Sequence, residues 1–152
     1  PTFGATPAAQ GQAVVPTQGN VFATDPQRIM IMMQEFGYLA TMGVDSVGDP
    51  QISSQVSSTS FSVYFYGCTD GLNCTNIQFA AGYDLTNGTT AEAMNNWNAS
   101  KRFAYSYIDD EGDPFLNMDV NLDYDGIGEQ NLRDFFSLWR EQVEAGENHI
   151  GW

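Results

Sequence analysis

The chain has 152 residues, with 5 Lys+Arg against 19 Asp+Glu, a formal net charge of −14 and a pI near 4.1. Depletion of bases more than excess of acids makes this imbalance; it excludes a phosphate-tracking nucleic-acid surface, which needs clustered Lys and Arg, and argues against docking on anionic lipid. The length suits one domain with one core, and the densest apolar run, Ile29 to Met33, is far short of the ~18 residues of a membrane span.

Residues 1–23 are rich in Pro, Gly, Ala, Gln and Thr and carry no charge. They read as an extended leader or linker, whose apolar residues Phe3, Val14, Val15, Val21 and Phe22 could dock on the domain. The chain begins at Pro1 rather than Met, which reads as a processed or trimmed chain. A domain is expected over residues 24–146, and residues 147–152 as a polar tail.

Thr24-Asp25-Pro26-Gln27 is a helix start, with Thr24 as cap and Gln27 three residues later as in a capping box. The helix is expected from Asp25 to Phe36, stopped by Gly37. Ile29, Met32, Met33 and Phe36 form one stripe, and Met30 and Ile31 a second apolar face. A helix apolar on several sides is buried on several sides, so the leader or another subunit is expected to cover it, although a wholly internal Met30, Ile31, Met32 and Met33 is the plainer reading.

Strands are expected at Tyr38 to Val44, Gln51 to Val56, Phe61 to Tyr66 and Ile77 to Tyr83, with turn chemistry at Asp45 to Pro50. Asn87-Gly88 marks a turn. Thr89 with Glu92 caps a second helix to Lys101, with Ala93, Met94 and Trp97 inward. Phe103 to Ile108 and Phe115 to Leu122 follow as two strands joined by Asp109 to Pro114. In the latter, Leu116, Met118, Val120 and Leu122 alternate with Asn117, Asp119 and Asn121, as in an antiparallel sheet with one wet face. The last helix is expected from Gly128 to Ala145, with Leu132, Phe135, Phe136, Trp139 and Val143 inward and Gly146 ending it. Strands in runs predict an α+β fold: an antiparallel sheet of five to six strands flanked by three helices. Gly-Asp-Pro recurs at 48–50 and 112–114, as shared turn chemistry.

Cys68 and Cys74 flank a short loop containing Gly71 and Asp70. A disulfide across it is the favoured reading and implies an oxidising compartment. The alternatives are a reduced cytosolic pair or, since the spacing is not Cys-x-x-Cys, less readily a redox pair. No catalytic residue stands out. The single His, His149, falls in the tail, where a solvated residue is expected, so neither a Ser-His-Asp nor a Cys-His arrangement can be assembled. There is no Gly-rich phosphate loop, and no cofactor is indicated.

Asn121, Asp123 and Asp125 followed by Gly126 have the spacing of calcium ligands at loop positions one, three and five. The pattern then departs, because position twelve is Leu132 rather than Glu, so a strand-to-helix turn is the stronger reading. Asn73, Asn87 and Asn98 lie in Asn-x-Ser/Thr sequons, which chance explains in so Asn-rich a chain. Seven of the 19 acids fall between Asp109 and Asp125, an acidic end that could meet a cation or a basic partner but reads more simply as a solvated rim.

Taken together, Phe61 to Cys68 with Asn73-Cys74, Trp97-Asn98 with Lys101-Arg102-Phe103, Gly112-Asp113-Pro114, Met118 to Leu122 and Leu138-Trp139-Arg140 resemble the YbjN family of bacterial proteins, described as sensory transduction regulators. The resemblance spans about Asp25 to Val143. It implies a fold like the type III secretion chaperones, often dimeric, with no known catalytic residue and no cofactor. The expectation is a non-enzymatic, exported protein-binding or regulatory module, periplasmic or secreted in a bacterium, with Met30, Met33, Tyr64 and Tyr66 as candidate partner-binding residues, and a second copy among the candidate partners. Tyr105 and Tyr107 are further interface candidates. The alternatives are a small-ligand binder or enzyme with a pocket on the sheet, and a calcium-binding envelope protein.

Overall fold

In the computed structural model the described residues are 19–152; most of the expected leader, with Phe3, Val14 and Val15, lies outside them. The order is α1 (Pro26–Phe36), β1 (Leu39–Val44), β2 (Pro50–Val56), β3 (Thr59–Tyr66), β4 (Asn76–Gly82), α2 (Ala91–Ser100), β5 (Tyr105–Ile108), β6 (Pro114–Asn121) and α3 (Glu129–Ile150). The strands form one antiparallel six-stranded sheet in the order β1-β2-β3-β4-β6-β5. This is the α+β architecture that the grouping of strands predicts.

The helices lie on the sheet face that alternation makes apolar. Ile52, Phe61, Val63, Phe65, Ile77, Phe79, Leu116, Met118 and Val120 are buried there. Against them α3 sets Leu132, Phe136, Trp139 and Val143. Trp139 packs its ring 5.5 Å from Phe61 and 5.6 Å from Phe79, and Phe136 lies 6.2 Å from Phe79. Tyr38 joins the cluster, 5.5 Å from Phe61, and donates its hydroxyl to the Phe136 carbonyl at 2.5 Å. Burial raises the Tyr38 pKa from 10.0 to about 12, although the Arg140 charge and a hydrogen bond from it pull downward.

Three helix boundaries differ from the sequence reading, each for a local reason. At α1 the cap is Asp25, not Thr24: its carboxylate accepts from the Arg28 amide at 3.2 Å, so the cap sits one residue later than the capping-box pattern suggests. Gly37, at φ 112°, ends that helix as expected, because only glycine takes this conformation without strain. At α2 the cap is Thr90 rather than Thr89, its hydroxyl accepting from the Ala93 amide at 3.1 Å.

At α3 the difference is larger. Gly146 does not end the helix; it is buried in it, and a Cβ there would stand 3.2 Å from Leu116 Cδ2. The glycine is thus a point of close approach to the sheet rather than a stop. The helix runs on to Ile150 and is closed by Gly151 at φ 75°, so residues 147–150 are helix and the tail shrinks to two residues. His149 is exposed, as expected, but it stands on the last turn of the helix rather than in a tail. Its ring lies 5.7 Å from Trp97 and a ring nitrogen is 2.7 Å from the Ala93 carbonyl oxygen. Glu147 accepts hydrogen bonds from the hydroxyls of Thr59 and, at 3.1 Å, Tyr83.

The last leader residues pack on the domain. Val21 is buried and exchanges two backbone hydrogen bonds with Ile127, at 2.8 and 2.9 Å. The Gly-Asp-Pro repeats make matching hairpins. Asp45 Oδ1 accepts from the amides of Val47 and Asp49, and Asp109 Oδ1 from those of Glu111 and Asp113, all at 2.9 Å. The acids between Asp109 and Asp125 do not gather at one end. Asp109 to Asp113 precede β6 and Asp123 and Asp125 follow it, and eight strand residues hold them roughly 25 Å apart.

Candidate functional site

Because side chains alternate, each strand that buries one face presents the other, and no described helix covers that second face. Its chemistry follows from the register. One row across the sheet reads Thr41, Ser53, Ser62, Ala80, Asn117 and Tyr105, all small or polar until its last member. The next row reads Gly43, Gln51, Tyr64, Gln78 and Asp119. On the opposite side of the small row, Phe115 lies over Gly82, where a Cβ would come within 2.6 Å of its ring. Tyr107 stacks on Phe115, with centroids 5.2 Å apart and planes 9° apart. A floor of short side chains between taller banks makes a trough of about 540 Å³, lined by Ser53, Ser60, Ser62, Tyr64, Tyr66, Gln78, Ala80, Gly82, Tyr107, Phe115 and Asn117.

In a chain of net charge −14, the six strands hold a single charged residue, Asp119. Gln78 Nε2 donates to Asp119 Oδ1 at 2.9 Å and to the Tyr105 hydroxyl oxygen at 3.2 Å, and Tyr105 donates to Asp119 Oδ2 at 3.2 Å. Gln51 Nε2 donates to Ser62 Oγ at 2.9 Å in the floor. Burial, then the nearby phenols and the carboxylates of Asp45 and Asp119, raise the pKa of Tyr66. Burial leads the rise at Tyr105 too, with Asp119 adding to it while amide hydrogen bonds from Asn117 and Gln78 oppose it. Both phenols therefore stay neutral donors over the physiological range. Asn117 is 5% exposed, and its Oδ1 has no hydrogen-bond partner. This oxygen lies beneath the trough floor, closed to solvent.

The two sheet edges differ. At β5, Asn98 of α2 closes the edge: its Oδ1 accepts from the Ser106 amide at 2.8 Å and its Nδ2 donates to the Ser106 carbonyl at 3.1 Å, standing in for a paired strand. At β1, Gln34 Nε2 donates to the Ala40 carbonyl at 2.9 Å. Alternation then turns the backbone groups of Met42 and Val44 the same way, where no described residue pairs with them. β1 carries no charge, and Leu39 and Val44 are exposed.

Of the residues singled out from sequence, Tyr64 and Tyr66 stand together on the open face, joined there by Tyr105 and Tyr107. Met33 is fully buried in the core, so it offers a partner no surface; Met30 is half-buried against the core, and of the run it is Ile31 that is exposed. Cys68 and Cys74 are bonded, with sulfurs 2.14 Å apart. Asn121, Asp123 and Asp125 lie in the β6–α3 turn. There Asn121 Oδ1 accepts from the Asp123 amide at 3.0 Å, Asp123 Oδ1 from the Tyr124 amide at 2.9 Å, and the Asp125 carbonyl from Asn20 at 2.8 Å. Among the described residues no group of three or more His, Cys, Asp and Glu could hold a metal ion, and no helix is long and apolar enough to cross a membrane. Asn117, Ser62 and Ala80 were not foreseen as site residues. Each looks ordinary in its own strand, and only the register sets them in one row.

The family model YbjN, described as "Putative bacterial sensory transduction regulator", matches residues 25–152. The match runs through α3 to the last residue, beyond the Val143 limit of the sequence resemblance. No curated protein and no solved structure matches the chain, so the likeness to secretion chaperones remains an expectation. The chain belongs to the YbjN family.

Proposed function

From membership of that family as premise, we propose that the chain is a non-enzymatic, exported binding module of a regulatory system, and that it meets its partner on the open face of the sheet. The observation that carries this reading is the trough, where neutral polar and aromatic side chains stand uncovered while all three helices serve the other face. An interface made of Tyr with few charges is ordinary recognition chemistry. Export is supported by the Cys68–Cys74 bond, since persistent disulfides belong to oxidising compartments. The test is site-specific cross-linking in the producing bacterium, with benzoylphenylalanine at Tyr66 and, as control, at exposed Glu144 on α3. A discrete adduct at Tyr66 and none at Glu144 is expected. Adducts of equal yield at both positions, or at neither, would count against the reading.

The β1 edge favours a second contact, with another copy of the chain. Antiparallel pairing of β1 with itself would satisfy the outward groups of Met42 and Val44 in both copies. Light scattering on the purified chain should then give a dimer that Met42→Pro returns to monomer, because proline removes one outward amide and is tolerated at a sheet edge. A monomer before substitution would refute this contact and leave the trough untouched.

A further inference from the structure

Acids outnumber bases 19 to 5, so the place of each base is informative. Arg28 pairs with Glu129 at 2.9 Å, and Arg133 with Glu129 and Glu35, both at 3.5 Å. Arg140 lies over the rings of Phe36 and Tyr38, at 5.2 and 5.5 Å. Lys101 and Arg102 stand side by side in the link between α2 and β5. They pair with no carboxylate among the described residues, and residues 1–18 contain none. Next to them Phe103 is 49% exposed, with the Arg102 guanidinium 5.4 Å over its ring. The Phe103 backbone has φ 72°, and across it the Ala104 amide donates to the Arg102 carbonyl at 2.8 Å. This is a γ-turn of the positive-φ kind, which is rare and strained, and glycine or asparagine takes it far more readily than phenylalanine.

The link is clamped from both sides. Trp97 Nε1 donates to the carbonyl of buried Ala104 at 3.1 Å, and the Trp97 carbonyl accepts from the Lys101 amide at 3.0 Å. The clamp explains the conformation at position 103. It does not explain an aromatic residue there, meeting half-buried Phe135 of α3 edge-on at 6.4 Å and leaving half its surface in water. Lys101, at the C-cap of α2, gains from the helix dipole, but that gain asks nothing of an exposed ring. Strain held by a rigid surround at an exposed point is the mark of a place kept for contact. We propose that Lys101, Arg102 and Phe103 form a docking knob for an acidic segment of a partner protein, whose carboxylates meet the two cations and whose apolar side chain lies on the Phe103 ring. Charge complementarity selects this occupant. Two adjoining cations without an acid, in a chain of net charge −14, draw local carboxylates, while a long polyanion or an anionic membrane also meets the repulsion of the whole chain. The knob lies off the strands, and its assignment does not depend on the trough.

The experiment pans a random dodecapeptide library, displayed on phage, over the disulfide-intact chain, and then follows the chain by NMR with the enriched peptides. Those peptides are expected to carry two or more Asp or Glu around an apolar residue. They should shift the signals of Lys101, Arg102, Phe103 and Phe135 and leave those of Ser62 and Tyr64 in the trough unmoved. Lys101→Gln with Arg102→Gln should weaken the binding about tenfold and remove most of its salt dependence. Phe103→Asn, which suits a positive φ, should weaken it several-fold while Tm holds or rises. A Tm lowered by more than about 5 °C would make the ring a packing residue and overturn its docking role; the double Gln variant keeps the test open if Phe103→Asn fails to fold. Enrichment of basic or uncharged peptides, shifts confined to the trough, or no enrichment at all would overturn the knob. Phosphatidylglycerol vesicles, run in parallel, are expected not to bind; vesicle binding that the double variant abolishes, with no acidic peptide enriched, would overturn the protein partner in favour of a membrane. The cross-linking at Tyr66 decides the trough reading separately from every one of these outcomes.

Discussion

On β3, Phe61, Val63 and Phe65 point one way and Ser62, Tyr64 and Tyr66 the other. The two sets are one residue apart in sequence and differ in everything else. The first set is buried under α3; the second faces a trough no helix covers. The contrast teaches that in this fold stability and recognition are divided between the faces of the same strands, so each should be open to change without the other. On the packed face, apolar area is removed from water and ring meets ring, which is where folding free energy comes from. On the open face, hydroxyls and amides lose little by staying wet, and they keep a surface chemistry a partner can use.

That division can be broken most forcefully from the packed side. Trp139→Ala or Phe79→Ala should cost about 3–5 kcal/mol in urea unfolding, since each leaves a cavity among rings with no exposure to solvent. A cost under about 1 kcal/mol would mean the cluster does not organise the core. Alkaline pH attacks the same side through Tyr38. Below pH 10 the folded and unfolded chains both keep the phenolic proton. Between 10.0 and about 12 the unfolded chain releases it and the folded chain does not, so stability falls as pH rises across that window, by about 2–3 kcal/mol at most. Tyr38→Phe should lessen this fall, read as the urea midpoint against pH, and buried Tyr83, whose pKa burial and Glu147 also raise, accounts for a remaining part.

The disulfide sits at the margin of the packed face, with Cys74 buried in the core and Cys68 packed against it. Converting Cys68 and Cys74 to Ser should cost at least about 2 kcal/mol, the chain-entropy value for so short a loop, with the hydroxyl buried at position 74 adding to it, without moving the signals of the trough. Asn98→Ala, which strips the β5 edge of its substitute strand, should cost about 1 kcal/mol and leave a second edge open to self-association, visible in light scattering. Smallest of all should be Tyr66→Ala on the open face, within about 0.5 kcal/mol. A destabilisation comparable to Trp139→Ala would dissolve the contrast between the faces.

Much of this was legible in the sequence because it is local. The alternation in Phe61 to Tyr66 and Leu116 to Leu122 placed both faces, and it put Tyr64 and Tyr66 on the open one. The loop between Cys68 and Cys74 announced its own closure. What could not be read depends on contacts between distant segments. Gly146 looks like a helix stop until Leu116 is seen against it. Asn98 looks like a stray sequon until it is found closing the β5 edge. Met33 looked like a surface candidate, as one member of an apolar run, because the sequence shows that α1 is apolar on several sides but not which side meets the sheet. The trough is the clearest case: Ser53, Ser62, Ala80 and Asn117 become a floor only through three strand registers at once.

The most direct test of the divided sheet is one variant measured twice. Ser62→Arg places a long cation in the middle of the trough floor without touching the packed face. Unfolding in urea should stay within about 1 kcal/mol of the parent, while the cross-linked adduct at Tyr66 disappears from the mass spectrum. An adduct that survives the arginine, or a chain that unfolds because of it, would contradict the claim that this face binds and the other one folds.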